Sequence, residues 1–391
     1  MHRGSICIAM AMLLTLNACS TLRHWWHDDA QATASDTPTL RQVIRIDWRV
    51  DVDQRRPAAP AGFSVPLVAR SAHGPRIVIG AMDSRVRFYD THGKELARLA
   101  LHGPSEAGAL QLDNGLVIIG DVEGYIYALD VDTMRIAWQR QLSSLMQGHP
   151  VPTADGFLVQ TADNRLYRFD RAGNKRWSYT GALGGLAMRA GSSPVIAGEY
   201  VYAVFNNGDA VALRLDSGDM IWKRQLVLDN NAAVLSEIRV PLADPVFVAA
   251  PSSFQEPFLL AVPIYQGDLL FLSPRDGSIV HQRAISIKST PVLMDNTLYA
   301  CDSHGAVYAL DASSGQSLWK KVISDSELVG PAVGAGKRLW LADAKGRVFR
   351  LDGLGRVVAS IRLPGRIDRA PVPMNDGVLV RTDLGVLYYL R

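Results

Sequence analysis

Residues Asp121–Trp138 read DVEGYIYALDVDTMRIAW, and residues Asp302–Trp319 read DSHGAVYALDASSGQSLW. The two stretches align without a gap. They share the first aspartate, a glycine three residues on, Tyr-Ala-Leu-Asp and the closing tryptophan. Asn206–Trp222 (NNGDAVALRLDSGDMIW) repeats the pattern one residue shorter, and Asp163–Trp177 (DNRLYRFDRAGNKRW) is a tighter version. Within each copy, apolar runs such as Leu116-Val117-Ile118-Ile119 and Tyr125-Ile126-Tyr127-Ala128-Leu129 are broken by Asp/Asn/Gly clusters, the pattern of short strands and turns. Asp302-Ser303-His304-Gly305 and Asp343-Ala344-Lys345-Gly346 read as hairpin turns whose glycine supplies the positive φ.

Upstream of each copy a proline or alanine opens another apolar segment, at positions 66, 109, 150, 194, 245, 291, 331 and 371. The spacings of 43, 41, 44, 51, 46, 40 and 40 residues suit one four-stranded unit per repeat. A lone four-stranded sheet leaves both faces wet, whereas stacking such sheets around an axis buries each face against its neighbour. The expected fold is therefore all-β: an eight-bladed β-propeller of four-stranded antiparallel blades. The last repeat ends at Val386-Leu387-Tyr388-Tyr389-Leu390 and lacks its tryptophan-bearing strand, while Ile44–Val50 is an orphan strand that carries Trp48. Pairing the two closes the ring without an open edge.

Composition narrows the function. The 391 residues are 48% apolar, with 33 glycines and 20 prolines, ample for a core rich in turns. A net charge of +3, from 41 basic and 38 acidic residues, does not supply the strongly basic face of a nucleic-acid binder. Three cysteines with no CxxC pair exclude a disulfide scaffold and a cysteine-rich zinc site. Cys301 reads as a buried structural thiol. No HExxH, GxSxG or Walker A motif is present, so no catalytic residue, metal ligand or cofactor is expected.

The first residues carry a different message. His2 and Arg3 precede an apolar stretch from Ile6 to Leu16, too short to span a bilayer permanently. It runs into Leu16-Asn17-Ala18-Cys19, which resembles a bacterial lipobox. That resemblance implies a signal peptide over 1–18, acylation of Cys19, and a polar tether over 19–40 leading to a propeller over 41–391. Several acyl chains anchor stably where one is marginal. Ser20, where an aspartate would imply inner-membrane retention, points to the outer membrane.

Unequal connections point to the binding face. Every link from an outermost strand to the next innermost strand emerges on one side, and the two longest lie consecutively, over Gly181–Ser192 and Val227–Asp244. The first places Leu186, Met188 and Arg189 among glycines, a composition suited to a binding hot spot or to a plug folded back on the propeller.

The Ala-Leu-Asp-x-x-x-Gly-x-x-x-Trp repeat (Ala309, Leu310, Asp311, Gly315, Trp319) resembles the quinoprotein type. That type implies tryptophans docking on the neighbouring blade, with different contacts where Arg98, His281 and Ala359 stand instead. Together with the lipobox and the ring-closing strand, it resembles the BamB family, lipoprotein subunits of the outer-membrane β-barrel assembly machinery. Leu186-Ala187-Met188-Arg189 is similar to that family's Leu-x-Leu-Arg-Gly motif, which contacts the periplasmic domains of BamA. The resemblance implies a non-enzymatic scaffold facing the periplasm. Leu186, Met188, Arg189 and Asp244 would bind BamA, and unfolded outer-membrane protein clients are further partners. The sequence departs from the family where an Asp-x-Asp pair is expected, keeping only Asp244, and in the insert Pro251–Pro257. A propeller serving another envelope complex, or a pyrroloquinoline-quinone redox protein, are the alternative readings.

Overall fold

The computed structural model describes residues 43–53, 64–182, 191–227 and 239–391. The described residues form eight antiparallel four-stranded sheets. Seven are built from consecutive strands, in blades spanning 67–100, 110–141, 146–180, 195–225, 246–283, 292–322 and 328–362. The eighth combines 372–390 with the strand Ile46–Asp51. The all-β, eight-bladed propeller expected from the repeat is the observed fold. Cys19 and the segments 1–18 and 19–40 lie outside the described residues, as do Leu186, Met188 and Arg189.

Burial explains why the second strand of each blade reads as an unbroken apolar run. In Leu116–Gly120, Val117 and Ile119 join a cluster with Val78 and Phe88 of the first blade, while Ile118 joins Phe157 and Val159 of the third. Alternate side chains thus face opposite neighbours, and both faces are dry. Eight such clusters each bridge one pair of successive blades.

Outer strands lock to the next blade through tryptophan. The Nε1 atoms of Trp48, Trp177 and Trp222 each donate to a carbonyl in the following blade (Thr91, Leu215 and Pro274), all at 2.9 Å. Each indole ring covers a glycine of positive φ: a Cβ on Gly218 would lie 2.8 Å from Trp177, and one on Gly355 would lie 2.6 Å from Trp319. The repeat therefore needs glycine twice over, for the left-handed backbone and for the ring stacked on it. In the fifth blade His281 takes the tryptophan's place, stacking on Phe271 at 4.2 Å between centroids and covering Gly315. Burial, then the nearby Arg283, pushes the His281 pKa below its usual value.

Ring closure follows the expected pairing, with Trp48 opposite Tyr389 and Asp51 opposite Val386. A buried ion pair reinforces it. Arg381 Nη2 lies 2.6 Å from Asp53 Oδ2, with both side chains 1% exposed. Arg381 Nη1 also donates to Gly80 O at 2.8 Å, and Asp53 Oδ1 accepts from Met82 N at 2.7 Å. The pair thus ties the closing strand and the eighth blade to the first.

Two faces result. One carries the links between blades and the axial openings of the inner strands. The other carries the turns between third and fourth strands, the exposed insert at Pro251–Pro257, and both described chain ends, where Arg45 and Arg391 exchange backbone hydrogen bonds of 2.8 and 3.0 Å.

Candidate interaction face

The residue before each inner-strand proline builds the centre of the linking face. On four successive blades these residues are His149, Ser193, Asp244 and Thr290, and they form a chain around the axis. His149 N donates to Ser193 Oγ at 2.9 Å, Ser193 N to Asp244 Oδ1 at 2.5 Å, and Asp244 N to Thr290 Oγ1 at 3.0 Å. The girdle continues in altered form elsewhere: Gly108 N donates to Gly148 O at 2.9 Å, and Ser289 Oγ bridges to the backbone of Gly330. All but the Ser289 hydroxyl's bond to Gly330 O satisfy a backbone amide in or just before an inner strand.

His149, Ser193 and Asp244 are the residue types of a nucleophilic relay, but their geometry is different. Ser193 Oγ lies 2.9 Å from His149 Nδ1, and Asp244 Oδ2 lies 3.7 Å from that same nitrogen. A relay needs hydroxyl and carboxylate on opposite ring nitrogens, so this trio does not pass a proton through the imidazole. Cys301, fully buried, has its thiol pKa pushed up by burial and then by Asp302, the opposite of an activated thiolate. Among the described residues no cluster of His, Cys, Asp and Glu is suited to a metal ion.

Inside the girdle lies a funnel of about 480 Å³, to which all eight blades contribute. Its mouth carries Glu106, Asp244, Lys288, Asp368 and Arg369, and its throat is lined by prolines and by Leu67, Val292, Val333 and Val372. Arg369 stands within the electrostatic reach of Asp368, Glu106 and Asp244, which belong to three different blades. Lys288 Nζ lies 3.0 Å from Glu327 and 3.7 Å from Asp368.

Asp244 is therefore directed into the girdle, its side chain 20% exposed, with one oxygen taken by Ser193. Leu186, Met188 and Arg189 fall in 183–190, outside the described residues, but the two ends of that segment are held on this face. Asn164 Nδ2 and Asn207 Nδ2 both donate to Ala182 O, at 3.0 and 3.2 Å, and Ser192 Oγ donates to Val204 O at 2.7 Å. The funnel charges and the roles of His149, Ser193 and Thr290 were not singled out from sequence. The available signal was a polar residue before the proline in consecutive repeats.

Comparison with known proteins bears on this architecture. A family model described as outer membrane protein assembly factor BamB matches residues 82–321 and 303–390. The chain is 24% identical over 387 residues to the BamB of Burkholderia pseudomallei, covering 97% of this chain and 96% of that protein. It is 24% identical over 396 residues to the BamB of Bordetella pertussis, covering 100% and 97%. The crystal structure of BamB from Moraxella catarrhalis matches with a TM-score of 0.71 at 18% identity, covering 89% of this chain and all of that one, a likeness of fold. Fold and repeat define an eight-bladed β-propeller of the PQQ-like type. Within that class, the chain belongs to the BamB family of outer membrane protein assembly factors.

Proposed function

We propose that this chain is a non-enzymatic scaffold of outer-membrane β-barrel assembly. It is anchored by lipid at Cys19, reaches through a tether over 19–40, and docks on the periplasmic domains of BamA by the linking face of its propeller. Family membership along nearly the whole chain carries this reading. The second of the two longest links ends at Asp244, which the girdle holds on that face. Leu186 and Met188 fill apolar pockets on the partner, and Arg189 pairs with acidic or carbonyl groups. Unfolded outer-membrane clients are secondary partners.

Two measurements test it. Leu186→Ala combined with Arg189→Glu abolishes co-purification with BamA from cells while the thermal transition stays within a few degrees. Undiminished recovery of BamA overturns the docking reading. Cys19→Ser releases the chain from the membrane fraction, and mass spectrometry of the wild type finds the diacylglyceryl adduct on Cys19. A membrane-bound serine variant overturns the anchor.

A further inference from the structure

The outer edges of three consecutive blades have a chemistry that docking through the links does not use. Met220–Gln225, Ile279–Arg283 and Ser317–Val322 are the outermost strands of the fourth, fifth and sixth blades. They expose Met220, Ile221, Ile279, Leu318 and Val322, each between 44% and 70%. The outermost strands of the first, second, third and seventh blades expose no large apolar side chain. The same three strands carry Lys223, Arg224, Arg283, Lys320 and Lys321, and no acid. Of these five cations only Lys223 forms an ion pair among the described residues, with Asp209 at 2.7 Å. A chain with a net charge of only +3 thus concentrates positive charge on this sector.

Cations alone are the ordinary guard of an edge strand against pairing with another chain. Large apolar side chains set among them undo that guard. The two together make a surface suited to anionic lipid, where basic groups reach the headgroups and apolar ones enter the boundary with the acyl chains.

A second observation concerns orientation. Met220, Ile221, Ile279 and Leu318 occupy the first two positions of their strands, at the face that carries the turns between third and fourth strands. Leu354, in the corresponding turn of the seventh blade, is exposed there too. The described chain begins on that same face at Val43, 24 residues after Cys19. Twenty-four residues reach at most about 80 Å, so a propeller anchored at Cys19 stays beside the bilayer and a weak contact suffices to orient it. The linking face is the opposite one.

We propose that the outer edges of the fourth to sixth blades lie on an anionic lipid surface. Arg224, Lys320 and Lys321 meet the headgroup phosphates, and Ile221, Ile279 and Leu318 enter the boundary beneath them. The inference rests on the anchored reading of Cys19. The contact orients the anchored chain and is too weak to hold it alone.

The test uses the mature chain, residues 19–391 with Cys19→Ser, made without export so that it carries no acyl chain. It is sedimented with vesicles of phosphatidylglycerol and phosphatidylcholine in equal parts. Neither BamA nor an anchor is present, so failure here is separate from failure of the docking or the anchor. At about 20 mM salt the chain partitions with a constant on the order of 10³ M⁻¹, below the roughly 10⁴ M⁻¹ of a single acyl chain. Binding vanishes at about 500 mM salt and on phosphatidylcholine alone. Lys320→Glu with Lys321→Glu lowers the constant more than about tenfold. Ile221→Ser with Leu318→Ser lowers it about fivefold. Both variants keep the wild-type thermal transition, and their full-length forms recover BamA from cells as the wild type does. Absence of binding to the anionic vesicles, equal binding to phosphatidylcholine, or wild-type binding in either double variant overturns the proposal. A lysine variant that loses BamA but not the vesicles assigns those cations to a protein surface instead.

Discussion

In five blades the aspartate that follows the third strand, Asp90, Asp130, Asp170, Asp311 or Asp352, is a small staple. Asp90 Oδ1 accepts from the amides of His92 and Lys94, both at 2.9 Å, and Asp352 Oδ1 from those of Leu354 and Arg356, both at 3.0 Å. At Asp311 the Ser313 hydroxyl, followed by the Ser314 amide and hydroxyl, holds the carboxyl below its ordinary pKa. At Asp352 burial works the other way, and the Arg356 amide and guanidinium outweigh it, again lowering the pKa. A carboxyl with a depressed folded pKa contributes stability that is complete above its unfolded value, about 3.9, and is lost as pH falls through the folded value. The thermal transition is therefore expected to fall slightly as pH drops through about 6.5, where the unfolded chain protonates His281 more readily than the folded one, and to drop steeply below about pH 4. Asp311→Asn lowers the plateau and flattens the acid limb, and an unchanged acid limb refutes the staple. These residues were legible in sequence because donor and acceptor lie two to four positions apart. His149, Ser193, Thr290 and the place of Asp244 in the girdle were not, because each bond joins residues 44 to 51 positions apart and no local pattern marks the pairing.

At the scale of the strand and turn, the unit of cohesion is an indole laid over a glycine of the next blade. Gly74 and Gly355 both have positive φ, 93° and 75°, but a Cβ meets nothing within 4 Å at Gly74 and the Trp319 ring at Gly355. Gly74→Ala then costs only the backbone strain, about 1 kcal/mol. Gly355→Ala adds displacement of a packed ring, about 1–3 kcal/mol more. Urea denaturation of both variants separates the two contributions, and equal losses contradict the interlock. The eight repeats, the tryptophan positions and six of the inner-strand starts were legible, since each is a period in the sequence, whereas the strands at Met146 and Leu328 begin four and three residues before their prolines, ahead of a shift in register. The substitute at His281 was legible only as a gap. Its stacking on Phe271 depends on a cross-strand pairing between Phe271 and His281 that periodicity does not rank.

For the whole molecule, the decisive bond is between its beginning and its end. Arg381→Met leaves Asp53 charged, buried and without its counter-ion, at a cost of about 3–5 kcal/mol in urea denaturation. Arg356→Met, which breaks an exposed pair with Asp352, costs about 0–1 kcal/mol. A double change, Asp53→Asn with Arg381→Met, recovers part of the loss, and equal shifts for the two single variants refute the clasp. That the strand around Trp48 completes the eighth sheet was readable from a missing tryptophan. The Asp53–Arg381 clasp was not, since nothing near either residue marks a partner 328 positions away. The closing contact sets an order of events during synthesis. Ile46 pairs with Leu390, so among the described strands the earliest in the chain cannot be paired until the latest has formed. Until that pairing forms the blades make an open arc with two unpaired edges, and a contact of such long sequence separation is among the slowest to form.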